Sequence, residues 1–118
     1  MEELDKKTFC EKIYDYEKKK EWDFQGSLPA IIDFYADWCA PCRIVAPIME
    51  KLADEYEGKI DFYKVNTDKE QELATTFGIM TIPSLFFIPQ QGEPQMARGA
   101  LSRDAFEKAI AEILGVKK

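Results

Sequence analysis

Histidine is absent from the 118-residue sequence, and cysteine occurs only three times. The absence of histidine argues against a Ser-His-Asp hydrolase, a Cys-His protease and a histidine-ligated metal site. Three cysteines are too few, and odd in number, for a small domain held together by a disulfide framework. Neither a histidine-dependent catalytic site nor a disulfide scaffold is therefore expected.

Positive charge and long apolar segments are also scarce. The 16 Lys and Arg residues stand against 22 Asp and Glu residues, and the net charge of −6 argues against nucleic acid or an anionic membrane as a partner. No segment approaches the roughly 18 apolar residues that span a bilayer, and residues 1–7 lack the apolar stretch of a signal peptide. We therefore expect a cytoplasmic protein. A periplasmic or secreted protein is the alternative if a targeting segment has been removed.

The apolar residues that are present predict alternating helices and strands within a single domain over residues 1–118. A run of β-forming residues at 30–36 predicts a central strand covered on both faces. Trp22 and Phe24, in the preceding connector, are expected to fold back onto the domain. The predicted elements are a helix at 8–20, a strand at 30–36, a helix at 39–56, a strand at 59–66, a helix at 67–77, strands at 83–88 and 95–100, and a last helix capped by Ser102. This order predicts an α/β fold with a mainly parallel sheet and an antiparallel edge.

Two cysteines follow the central strand with the dipeptide Ala40-Pro41 between them. At the start of a helix, residues three apart face the same side with Cβ atoms about 5–6 Å apart, so Cys39 and Cys42 need only a small adjustment to form a disulfide. Cys39 lies at the predicted helix N-terminus, where the helix dipole favours a thiolate. We therefore expect Cys39 to be the nucleophile and Cys42 the resolving thiol of a disulfide exchange.

Other uses of these cysteines stay open at this point. A zinc half-site has the same spacing, but it needs two further ligands, and only Cys10 and carboxylates remain. A structural disulfide or an inert pair is the other alternative. No metal is predicted. Cys10, beside Phe9 and Ile13, is predicted to be a buried structural thiol, and a regulatory or intermolecular cysteine is the alternative.

Several segments of the sequence resemble the thioredoxin family, in that family's order and spacing. They are DFYADWCAPCR at 33–43, KVNTD at 64–68, FGI and TIPS between 77 and 84, and GAL at 99–101. Residues 30–114 resemble the family core, with Ala40 in place of the usual glycine. The resemblance implies a thioredoxin fold, which is a central mixed sheet of about four to five strands flanked by about four helices.

The first 29 residues, predicted to form a helix and a connector, match the family poorly. The family's first edge strand is not evident in them. Residues 1–4 are few and charged, and residues 22–24 are the alternative candidate.

The resemblance assigns supporting roles to an acidic and a basic residue. Asp33 is a lone carboxylate in an apolar strand, so its burial would raise its pKa. The matching residue of the family accepts the proton of the resolving thiol, here Cys42. Lys64 would lie nearby as a counter-charge that modulates Asp33. From the residues alone, Asp33 could instead face solvent at a strand end, and Lys64 could be a surface lysine.

The resemblance also implies a cis peptide bond between Ile82 and Pro83, which would turn the Ile82 backbone toward Cys39 and let it pair with an extended substrate segment. Around Cys39, a set of apolar residues that we call the docking collar would bind substrates. The docking collar comprises Trp38, Pro41, Met80, Ile82, Pro83, Gly99 and Ala100. A core position is the alternative for Trp38, and an ordinary proline at a strand start is the alternative for Pro83.

The function that the resemblance implies is reduction of protein disulfides by the Cys39/Cys42 dithiol through a mixed disulfide. Its implied partners are an NADPH-dependent thioredoxin reductase and protein disulfide substrates. The chain shows no dinucleotide-binding fingerprint, so no bound cofactor is expected beyond the redox-active disulfide. The protein is expected to be a monomer. The alternatives are a disulfide oxidase or isomerase of an oxidising compartment, against which Pro41 argues, and a scaffold module that does not use its thiols.

Overall fold

The computed structural model describes residues 1–118 and has a five-stranded mixed sheet at its centre. The strands are β1 (Glu2–Glu3), β2 (Ala30–Tyr35), β3 (Asp61–Asn66), β4 (Ser84–Ile88) and β5 (Gln95–Arg98). The helices are α1 (Lys6–Lys12), α2 (Ala40–Glu55), α3 (Gln71–Thr76) and α4 (Arg103–Ala109), and α4 continues as a π-helical turn at Ile110–Leu114. The predicted thioredoxin fold is confirmed, and Ser102 caps α4 as predicted by accepting a hydrogen bond from the backbone of Ala105.

The strands lie in the order β1-β3-β2-β4-β5, with β2 in the middle. Strands β1 and β2 both run parallel to β3, whereas β4 runs antiparallel to β2 and β5 antiparallel to β4. Five of the six residues of β2 are buried, because helices cover both faces of the sheet and leave no solvated side for polar residues. None of the helices combines the length and the apolar composition that crossing a lipid bilayer requires.

Two apolar cores lie on opposite faces of the sheet. Ile31 belongs to the core that α2 and α4 cover, whereas Ile32 and Phe34 belong to the core that α1 and α3 cover. Because side chains alternate along a strand, Asp33 projects to the same face as Ile31. The single acidic residue of the central strand therefore points toward α2, the helix that Cys39 caps and that contains Cys42.

The first helix is shorter than the sequence predicts. It ends at Lys12 instead of continuing to residue 20, and Asp5 caps it in a reciprocal pair of hydrogen bonds with Thr8. Past this end, the Tyr14 hydroxyl donates to the carbonyl of Lys19 at 2.7 Å, and its ring packs 5.0 Å from that of Trp22. These contacts hold the chain in a turn, so tertiary packing overrides the helical periodicity.

The edge strand missing from the sequence prediction lies at Glu2–Glu3, where it pairs with β3. The buried residue Leu4 extends this pairing, since its backbone N–H donates to the Lys64 carbonyl at 2.8 Å. The alternative at residues 22–24 is wrong, because these residues form no strand. Instead Trp22 packs edge-on against Phe86, as the prediction of a folded-back connector requires.

Candidate active site

The two predicted active cysteines form a disulfide at the N-terminus of α2, with their Cα atoms 5.3 Å apart. Cys39 is the N-cap residue of the helix, and its Sγ accepts a hydrogen bond from the backbone N–H of Cys42 at 3.3 Å. This N–H belongs to the group of helix N-terminal donors that no backbone carbonyl satisfies. When the disulfide is reduced, the same donor and the helix dipole favour a thiolate on Cys39 over one on Cys42.

The loop before β4 faces the disulfide. The Ile82–Pro83 peptide bond is cis, as predicted, and the Ile82 carbonyl oxygen lies 3.7 Å from Cys39 Sγ. Gly99, with a φ of +97°, donates its backbone N–H to the Pro83 carbonyl at 2.8 Å and so joins the loop before α4 to the cis-proline loop. A glycine suits this position because side chains disfavour positive φ. Two loops that are distant in sequence are thereby held together on the side of Cys39.

Asp33 is 2% exposed, so the solvent-facing alternative for it is wrong. Its Oδ1 atom has no hydrogen-bond partner in the chain. Burial raises the pKa of Asp33 to about 7, and the positive charge of Lys64, its neighbour on β3, opposes this rise. Asp33, Cys42 and Lys64 line one pocket of about 240 Å³. A carboxyl whose pKa lies near neutrality thus shares a pocket with Cys42.

The docking collar contains two of the exposed large apolar side chains of the chain. Met80 is 94% exposed and Trp38 is 67% exposed, so the core position considered for Trp38 is wrong. Of the other members, Pro41 and Ala100 are exposed, Ile82 and Gly99 are half-buried, and Pro83 is buried. The structure therefore places two large apolar side chains in solvent near the disulfide, with smaller groups between them.

The sequence analysis did not predict the hydrogen-bond partners of two aromatic side chains near the site, Trp38 and Tyr35. Asp68 accepts a hydrogen bond from Trp38 Nε1 at 2.9 Å, and Glu3 accepts one from the Tyr35 hydroxyl. Asp68 belongs to a segment that resembles the family, but the partners in each pair are 30 and 32 residues apart in sequence. The spacing of residues along the chain does not predict hydrogen bonds between side chains that are so far apart in sequence.

The third cysteine is not fully buried, which corrects the prediction made for it. Cys10 lies half-buried on the outer side of α1. Burial, followed by the negative charge of Asp15, raises the pKa of its thiol. Because the thiolate is the nucleophilic form, this raised pKa makes the Cys10 thiol less nucleophilic at neutral pH.

Comparison with known proteins agrees with this site. The family model described as Thioredoxin matches residues 2–112. The chain belongs to the thioredoxin family. A thioredoxin of Borreliella burgdorferi is 49% identical over 112 residues, which are 95% of this chain and 96% of that protein. Thioredoxin 1 of a Nostoc species is 36% identical over 95 residues, which are 80% of this chain and 89% of that protein.

The fold has a counterpart among solved structures. Chloroplastic thioredoxin z superimposes with a TM-score of 0.81 at 22% identity, over 96% of this chain and 93% of that one. Membership of the thioredoxin family, together with the cysteine pair at the helix N-terminus, makes the chain a protein-disulfide oxidoreductase that works through Cys39 and Cys42. Members of the family use this redox-active disulfide in place of a bound cofactor.

Proposed function

We propose that the chain is a general dithiol reductant, which an NADPH-dependent thioredoxin reductase reduces and which then passes two electrons to protein disulfides. The observation that carries this proposal is the Cys39–Cys42 disulfide at the start of α2, facing the Ile82 carbonyl and bordered by exposed apolar residues. The nicotinamide and the flavin belong to the reductase.

The cycle begins with the reduced protein. The Cys39 thiolate attacks one sulfur of a substrate disulfide, forms a mixed disulfide and releases the other substrate sulfur as a thiolate. The Cys42 thiol then gives its proton to Asp33 and attacks Cys39 Sγ. This attack closes the Cys39–Cys42 disulfide and expels the second substrate thiolate. The substrate has gained two electrons, and the protein has lost two.

The proposed proton transfer rests on burial and proximity. Asp33 and Cys42 line the same pocket, and the burial that raises the pKa of Asp33 to about 7 lets this carboxylate accept a proton near neutral pH. Lys64 lines the pocket too, and we propose that its charge keeps part of the Asp33 population ionised. No other side chain that lines the pocket is both buried and able to accept a proton at Cys42.

We propose that substrates bind the docking collar, and Trp38 provides the test. Trp38→Ala is expected to raise KM for a protein disulfide about tenfold with little change in kcat, because the exposed indole would be buried only in the complex. Steady-state kinetics with insulin measures both constants. Ile44→Ala is the matched control, since Ile44 is also 67% exposed but lies outside the docking collar. Equal increases in KM for both variants would contradict a role specific to the docking collar.

Insulin reduction tests the proposed function as a whole. We expect turnover with dithiothreitol and also with NADPH plus a thioredoxin reductase. If insulin is reduced with neither of these two donors, the proposal is refuted. The reduction potential separates a reductant from an oxidase or isomerase. We expect a reduction potential near that of thioredoxins, about −270 mV. A potential near that of disulfide isomerases, about −180 mV, would favour the oxidase or isomerase.

The cytoplasmic location and the monomeric state remain part of the proposal. A protein of this kind donates electrons where the surrounding thiol pool is reduced, as it is in the cytoplasm. Cell fractionation tests the location, and sedimentation of the purified protein tests the monomer.

A further inference from the structure

A row of three charged side chains crosses the sheet next to the pocket. Glu3, Lys64 and Asp33 occupy paired positions on β1, β3 and β2, so their side chains project from the same face. Lys64 therefore has a carboxylate on each side. Its Nζ takes part in none of the eight ion pairs of the chain, so neither carboxylate holds it in a salt bridge.

Tyr35 lines the pocket and contacts Glu3. It follows Asp33 by two residues on β2 and so projects from the same face as the charged row. Its hydroxyl donates a hydrogen bond to Glu3, and its ring centroid lies 5.7 Å from Lys64 Nζ. Burial, followed by the hydrogen bond to Glu3, raises the pKa of the Tyr35 phenol, so the hydroxyl stays a donor throughout the neutral range. The ring face attracts the ammonium while the hydroxyl engages the competing carboxylate.

We propose that Tyr35 is a positioning residue that holds the Glu3 carboxylate away from Lys64 and thereby reserves the Lys64 ammonium for Asp33. The inference rests on the proposed role of Asp33 as proton acceptor. Other residues that carry charge line the same pocket, namely Asp37 in the loop after β2, Arg43 and Glu50 on α2, and Met1 with its amino group before β1. None of these residues hydrogen-bonds to Tyr35 or Lys64, so they provide a constant background when Tyr35 is changed.

The Tyr35→Phe substitution removes the hydroxyl but keeps the ring, so it distinguishes the contributions of the two groups. The Phe ring remains beside Lys64, but Glu3 loses its donor and becomes free to pair with the ammonium, which then stabilises the Asp33 carboxylate less. We expect the titration midpoint of Asp33 to rise by roughly 0.5–1 pH unit. In the double variant Tyr35→Phe with Glu3→Gln, the competing charge is absent, and we expect the midpoint to return to within roughly 0.2 pH unit of the unmodified protein.

The experiment is an NMR titration of the Asp33 carboxyl in the oxidised protein, in which neither Cys39 nor Cys42 titrates. Glu2→Gln is the matched control, because Glu2 is the neighbouring acidic residue on β1 and pairs with Lys12. A midpoint that rises in the single variant and returns in the double variant supports the inference. A midpoint that Tyr35→Phe leaves unchanged, or an equal rise in the single and double variants, overturns it.

The same variants distinguish failure of the inference from failure of the underlying proposal. The rate at which Cys42 resolves the mixed disulfide is measured as a function of pH in the unmodified protein and in Tyr35→Phe. If this profile does not follow the Asp33 midpoint, Asp33 is not the proton acceptor, although Tyr35 can still be shown by the NMR titration to position Lys64. If the profile follows the midpoint and Tyr35→Phe moves neither, the inference fails and the role of Asp33 stands.

Discussion

Cys39→Ser is expected to lower the rate of disulfide reduction at least about a thousandfold, because a serine hydroxyl is not ionised at neutral pH and cannot replace the thiolate. The N-cap position that favours a thiolate on Cys39 gives a hydroxyl no comparable advantage. Insulin reduction driven by dithiothreitol, corrected for the reaction of dithiothreitol alone, measures the loss. Substrate turnover above a few per cent in this variant would mean that another thiol performs the attack.

The control for this prediction is Cys10→Ser. Cys10 lies on α1, outside the site, and its raised pKa keeps it protonated. We expect this variant to reduce insulin at the rate of the unmodified protein. A large loss in Cys10→Ser would show that the third cysteine takes part in the cycle.

Asp33→Asn is expected to change how the stability of the protein depends on pH. Burial raises the pKa of Asp33 from 3.8 to about 7, so the folded protein holds this proton where the unfolded chain has already released it. Below pH 3.8, the pKa of Asp33 in the unfolded chain, the carboxyl is protonated in both states, so folding does not have to neutralise a charge. As pH rises from there to about 7, the free energy of unfolding falls, by about 4 kcal/mol for a shift of this size. Asparagine does not ionise and removes this dependence.

The measurement is urea unfolding of the oxidised Asp33→Asn variant and the unmodified protein between about pH 4 and about pH 8. We expect the variant to gain about 3 to 4 kcal/mol relative to the unmodified protein across this range, and the gain to level off above the folded pKa. The constant cost of burying an amide moves both ends of the curve equally. Asp54→Asn, at an exposed position of α2, is the control. A difference that does not change with pH would show that Asp33 titrates normally in the folded protein.

The sheet and the cysteine site follow from the sequence because their signals are local. The apolar run at β2 requires burial on both faces, and the only acidic residue inside that run must be buried with it. A dithiol that begins a helix carries its own electrostatic consequence. These features need no knowledge of what lies across the fold.

Features that depend on distant partners could not be predicted in this way. Strand β1 consists of two exposed glutamates that pair with β3 through the backbone and contact Lys12 and Tyr35 through their side chains, and such a strand has no apolar pattern in the sequence. The end of α1 is set by the contact of Tyr14 with Trp22, which overrides a helical period that continues in the sequence. The partner of Trp38 likewise became visible only once the fold brought Asp68 beside it.

The most direct test of the central claim is the capture of the mixed disulfide. Reduced Cys42→Ser protein, mixed with a protein disulfide substrate, retains the attacking thiol but lacks the group that resolves the intermediate. The account predicts a covalent complex that dithiothreitol cleaves, and peptide mapping is expected to show the substrate bound through Cys39. No complex, or a complex joined to Cys10, would contradict the claim that Cys39 attacks and Cys42 resolves.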